Sequence, residues 1–169
     1  DAAASYRQIA ALWTAMQQSS RQYCASDRSN SGLIGGDAAR FRAAAEAGRL
    51  LGGTYFQRVT EQALKVAECN ACMKCIVAAP TAGSCGVLPA VLIPLAEVRD
   101  VAEETILQAL YIAAGFGQVT ALRASVAGAE GGCQTEIGTA SAMAAAALTH
   151  ILGGTAQQCA DAYAIALGN

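Results

Sequence analysis

The sequence predicts an all-α fold, a compact bundle of about eight helices joined by glycine-rich loops. Three observations carry that prediction. Alanine fills 40 of the 169 positions and glycine another 17, a composition suited to helices whose backbones approach closely. Apolar residues recur three and four positions apart, and no period-2 strand of convincing length occurs. The length is that of one domain, residues 1–169, with chain enough to bury a substantial core.

The elements follow in order. Ala2 to about Tyr23 places Ile9, Leu12, Trp13 and Met16 on one helical face. Residues 26–36, SDRSNSGLIGG, are dense in Ser, Asn, Asp and Gly and read as a flexible loop. Asp37 is expected to cap a short helix through Arg49 that stops at Gly52 and Gly53. Thr54 is expected to cap a third helix to about Met73, with Tyr55, Val59, Ala63, Val66, Asn70 and Met73 on one stripe. Pro80 ends any helix within AAPTAGSCG, residues 78–86, and a new helix starts near Val87 or Leu88 with Pro89 in its first turn. Asp100 with Glu103 predicts a capping-box start for a helix from Val101 to Ala114, ended by Gly115 and Gly117, and another short helix reaches Val126. The loop GAEGG, residues 128–132, leads into Cys133 and a long alanine-rich helix ending at Gly153 and Gly154. Thr155 and Gln158 then open a last helix, Ala156 to Leu167.

Composition also excludes function classes. Charged residues make up 14% and the net charge is −2, which argues against both disorder and a broad nucleic-acid-binding field. The charge-free stretches 75–96 and 137–160 raise a membrane span, but prolines and glycines break the first, and Ala, Ser, Thr and Gln dominate the second. Buried helices explain them better, with no membrane. Seven cysteines and no signal-like N-terminus point to a reducing, cytoplasmic setting. A single histidine, His150, makes His-based triads and multi-His metal sites hard to assemble. It falls in the last turn of its helix, where an imidazolium complements the dipole.

Three segments carry candidate chemistry. Cys69, Cys72 and Cys75 have the C-x-x-C-x-x-C spacing of iron–sulfur ligands, yet they sit at a predicted helix end, and three soft residues on one face can equally pack against a neighbour. The loop PTAGSCG, residues 80–86, precedes a helix N-terminus and can either hold a carboxylate or serve only as a connection. Cys133 follows two glycines at a helix start, where the dipole favours a thiolate, while Glu130 and Glu136 oppose it. Structural and functional roles both stay open for it. Cys85 and Cys159 read as packing residues, and Cys24 has no partner pattern.

With these residues in hand, the chain resembles the α chain, or C-terminal catalytic domain, of the bacterial iron–sulfur-dependent L-serine dehydratases. The match runs through AECNACMKCIVAAPTAGSCGVLPAVL (67–92), AGAEGGCQTEIGTASAMAAAAL (127–148) and LGGTAQQCADAYAIALGN (152–169). The resemblance implies an all-helical domain that binds a [4Fe–4S] cluster through three cysteines, without pyridoxal phosphate, and converts L-serine to pyruvate and ammonia by Lewis-acid-assisted dehydration. The first ligand corresponds to Cys133, and the other two belong to a segment expected beyond Asn169. On that basis the chain as given is expected to be incomplete at its C-terminus, without cluster and inactive. The resemblance lowers the weight of the triple cysteine, where the family commonly shows VNASMGR-like sequence. It raises the PTAGSCG loop as a wall of the substrate site, with Thr81, Gly83 and Ser84 as carboxylate or hydroxyl contacts and Asn70 as a further substrate contact. It also implies a β chain closing over the face around Cys133 and residues 80–86, and allows an oligomer. The alternatives are a cysteine desulfidase-type lyase with a related cluster domain, and a non-enzymatic helical interaction module.

Overall fold

The computed structural model describes residues 1–168; Asn169, where the third matched stretch ends, lies outside them. Eight α-helices and one 3-10 turn make up the described residues, with no strand among them. They are α1 (Ala2–Arg21), α2 (Asp37–Glu46), α3 (Thr54–Ala71), the 3-10 turn Ala82–Ser84, α4 (Val87–Arg99), α5 (Glu103–Arg123), α6 (Gly128–Gly131), α7 (Cys133–Ile151) and α8 (Ala156–Leu167).

Helix α7 lies at the centre, packed on α4, α5 and α8. Its buried positions are Gly138, Thr139, Ala140, Ala142, Met143, Ala144, Ala146 and Ala147. Side chains this small let neighbouring backbones come close, and larger residues from the neighbours fill the layer around them: Leu88 and Leu92 of α4, Ile106 and Leu107 of α5, and Trp13 and Met16 of α1. Two helix-bearing stretches, Ala82–Arg99 and Glu103–Arg123, are long and apolar enough by composition to cross a bilayer. In this fold they bury Leu88, Leu92, Ile106 and Leu107 in the common core.

Helix ends differ from expectation in instructive ways. Helix α5 runs unbroken through Gly115 and Gly117 to Arg123, so the predicted stop and the separate short helix are both corrected. Gly117 is a socket, since a Cβ there would stand 2.7 Å from the Met143 sulfur. Packing thus offsets glycine's helix cost of about 1 kcal/mol. Asp100 is the left-handed C-cap of α4 (φ 49°), and Ala102 precedes α5, so the Asp100–Glu103 box does not form. Helix α2 ends at Glu46 because Gly48 (φ 67°) closes it, with Arg49 N–H donating to the Ala44 carbonyl at 3.0 Å.

Asp37 and Thr54 are first helical residues rather than caps, which are Gly36 and Gly53. The missing cap of α2 comes from another helix. The buried Glu68 carboxylate accepts from Gly36 N–H at 2.5 Å and Ala38 N–H at 2.7 Å. The box at Thr155 and Gln158 forms as predicted, and α8 has the predicted bounds.

Candidate functional site

Helix α3 ends on a turn whose left-handed position is taken by a methionine. Met73 has φ 60°, its N–H donates to the Asn70 carbonyl, and Lys74 N–H donates to the Cys69 carbonyl at 2.9 Å. This is a Schellman closure with a side chain where glycine is usual. It takes Met73 off the predicted stripe and leaves it exposed. It also separates the three spaced cysteines. Cys69 is buried, Cys72 is the half-buried C-cap, and Cys75 is exposed beyond the turn. Burial pushes the Cys69 thiol up to about 11, with Lys74 acting weakly in the opposite sense. Among the described residues no group of three or more His, Cys, Asp or Glu side chains is placed to hold a metal ion.

The chain then enters the loop 80–86. Thr81 caps the Ala82–Ser84 turn and forms a reciprocal box with Ser84. The buried Ser84 hydroxyl is occupied within the loop, donating to the Ala79 and Thr81 carbonyls at 3.3 Å. Cys85 is buried too, and burial raises its thiol, as fits a packing residue. Two helices hold this loop. From α3, Asn70 Nδ2 donates to the Ala82 carbonyl at 3.1 Å. From α7, Glu136 Oε1 accepts from the Thr81 hydroxyl at 2.7 Å.

The Glu136 carboxylate lies between two glycines. A Cβ built on Gly83 would meet Oε2 at 2.7 Å, and one on Gly128 at 2.5 Å. Glycine at both positions leaves the space in which the carboxylate sits, so a methyl group at either would displace it. Glu136 therefore joins the loop 80–86 to the segment 128–132 and to the first turn of α7. Reasoning from sequence gave it only the part of opposing a thiolate at Cys133; the signal that could have found it is the coincidence of two glycine-rich stretches with one acid in a helix start.

Cys133 is the first residue of α7 and is exposed, three residues before Glu136 and so on a neighbouring part of the same face. Thr81, Gly83 and Asn70 thus come together with Glu136 around one loop, with Cys133 one helical turn before that acid, while Ser84 is turned inward. His150 is 17 residues further along α7, about 25 Å away by helical rise, half-buried and outside this neighbourhood. A cavity of about 670 Å³ also lies elsewhere, between α1, α2, α3 and α4, lined by Arg21, Arg42, Glu61 and Lys65 among others.

The family model of the serine dehydratase alpha chain matches residues 2–169. The chain is 44% identical over 141 residues to the probable L-serine dehydratase alpha chain of Bacillus subtilis, covering 83% of this chain and 47% of that one. It is 44% identical over 137 residues to the L-serine dehydratase alpha chain of Peptoniphilus asaccharolyticus, covering 81% and 47%. To the Escherichia coli L-serine dehydratase TdcG it is 45% identical over 106 residues, covering 62% and 23%. The chain spans about half the length of the curated alpha chains it matches.

Proposed function

Because this chain belongs to the serine dehydratase alpha chain family, we propose that it forms the core of the α chain of an L-serine ammonia-lyase. The reaction removes the α-proton and the β-hydroxyl of L-serine as water, and the resulting enamine hydrolyses to pyruvate and ammonia. One observation carries the assignment of the site: the Thr81–Glu136 hydrogen bond, with the carboxylate seated against Gly83 and Gly128, joins both glycine-rich segments to the helix that begins at Cys133. In this reading Thr81 and the open backbone at Gly83 bind and orient the substrate. Glu136 fixes the Thr81 hydroxyl, and Asn70 holds the far side of the loop through Ala82. Ser84 shapes the loop from within.

An exposed thiol on the first residue of a helix, open to solvent and to an incoming metal, suits one ligand of a [4Fe–4S] cluster. Cys133 fits that part. The described residues do not complete a ligand set, so the steps assigned to this chain are binding and orientation. Relatives named as alpha chains imply a companion, and we assign a β chain to the exposed face around Cys133 and residues 80–86. Relatives named as L-serine dehydratases favour serine over a cysteine desulfidase-type substrate. Seven unpaired cysteines favour a reducing, cytoplasmic compartment.

The test uses the full-length α chain that contains these residues, reconstituted anaerobically with iron and sulfide and mixed with its β chain. Pyruvate should form from L-serine. A reconstituted, cluster-bearing pair that makes no pyruvate overturns the assignment.

A further inference from the structure

The cysteines that the site leaves unused are not scattered. Cys24, Cys69 and Cys72 line one narrow crevice together with Asp27 and Lys74. The segment that carries Cys24 is held against the end of α3 by several ties. Gln22 Nε2 donates to the Cys75 carbonyl, and Lys74 Nζ donates to the Gln22 carbonyl at 2.6 Å and pairs with Asp27. Further along, Glu68 holds Gly36 and Ala38. The Met73 turn brings Lys74 back beneath α3, placing an ammonium among the thiols.

We propose that Cys24 and Cys72 form a thiol modification site, a pair that hydroperoxides convert to a disulfide. The division of roles follows from position. Cys24 is exposed, its sulfur 3.1 Å from the Ser26 hydroxyl. Hydrogen bonding to the Ser26 hydroxyl and backbone draws its thiol below the ordinary value against the opposing charge of Asp27, with Lys74 adding the least, whereas burial holds Cys69 protonated. Cys24 is the thiol that meets the oxidant. Cys72, half-buried at the helix C-cap on the same crevice, is the resolving thiol. Cys75 is exposed and does not line the crevice, and is the outside reference.

The chemistry balances in two steps. The Cys24 thiolate attacks the terminal peroxide oxygen, an S–O bond forms as the O–O bond breaks, and the departing alkoxide takes a proton to leave as alcohol, or as water from hydrogen peroxide. The sulfur is now a sulfenic acid, oxidised by two electrons while the peroxide is reduced by two. The Cys72 sulfur then attacks the Cys24 sulfur, the S–S bond forms, the S–O bond breaks, and hydroxide leaves as water with the proton from Cys72. The disulfide ties the 22–36 segment to the C-cap of α3.

The full chain, reduced and freed of reductant, is treated with one equivalent of hydrogen peroxide and mapped by mass spectrometry. The expected product has lost two hydrogens, contains a Cys24–Cys72 cross-linked peptide, and reverts with dithiothreitol. With Cys72→Ser, Cys24 should instead be trapped as sulfenic acid by dimedone. Lys74→Gln should slow cross-linking several-fold, and Cys133→Ser should leave it unchanged. Unchanged helical circular dichroism confirms that each variant folds. A cross-link that forms equally in Cys24→Ser, a Cys72–Cys75 product, or oxidation of Cys24 no faster than Cys75 overturns the proposal.

Discussion

The C-terminus of α3 and the N-terminus of α7 both carry cysteines and both grip the loop 80–86, yet they present their thiols to opposite surroundings. At α3 the helix ends in carbonyls, the negative end of its dipole, and the innermost thiol is buried and pushed up to about 11. At α7 the thiol of Cys133 is exposed on the first residue of the helix, at the positive end of its dipole. Three cysteines at even spacing therefore do not make a ligand set among the described residues, and the thiol proposed as a ligand is the single one at the opposite kind of helix end. Spacing counts only when the backbone keeps the thiols together, and the Met73 turn does not.

The sharpest way to break this contrast is to exchange the two thiols' fates by mutation. In the reconstituted full-length α chain, Cys133→Ser should abolish cluster retention, read as iron content and visible absorbance. Cys72→Ser should retain it. A cluster that survives Cys133→Ser but not Cys72→Ser would reverse the roles given to the two helix ends.

A smaller but still large effect is expected at the glycines. Gly83→Ala or Gly128→Ala places a methyl where Glu136 Oε2 lies. The carboxylate is the far end of a flexible side chain and can move, so the loss of stability should stay below about 1 kcal/mol. Its displacement from Thr81 should cost tenfold or more in kcat/KM for serine, since misplacement of about 1 Å can cost about a hundredfold. Equal losses in stability and activity would mean that Glu136 only packs.

Much of this was legible in the sequence. Periodicity and capping residues predicted the helical class, α1, α4, α7 and α8, and the Thr155–Gln158 box. What was not legible depended on residues distant in sequence. Glu68 caps α2 from 30 positions away, Met143 makes Gly117 a socket instead of a stop, and the acid that joins the glycine segments lies 55 residues beyond Thr81. The candidate site showed the same division. Local motifs marked Cys133 and the loop 80–86, but not that Ser84 faces inward or that Glu136 binds the two together.

The pH dependence of stability distinguishes the two ends more gently. Folded Cys69 keeps its proton to about 11, while in the unfolded chain it ionises around the ordinary 9.0. Between those values the unfolded state binds fewer protons, so stability falls as pH rises, by at most about 1.4 kcal/mol per pH unit from this group. Below the ordinary value it contributes no slope. In denaturant titrations, Cys69→Ala should flatten the alkaline decline, though not remove it, because burial raises Cys85 as well. An alkaline slope unchanged by Cys69→Ala would show that the α3 end is not as dry as its packing requires.

The smallest effects test how the two helices share the loop. Asn70→Ala removes a neutral side-chain hydrogen bond to a backbone carbonyl, and Thr81→Val removes a hydroxyl bonded to a carboxylate. The first should cost about 1 kcal/mol, and the second somewhat more, because charge assistance strengthens a hydrogen bond while water at the half-buried Glu136 recovers part of the loss. The double variant is the informative one. If α3 and α7 hold a loop that is already rigid, the losses should add to within about 0.5 kcal/mol. If instead each grip matters only while the other is in place, the double variant will lose markedly less than the sum. The loop would then be ordered only by the closure of both helix ends upon it.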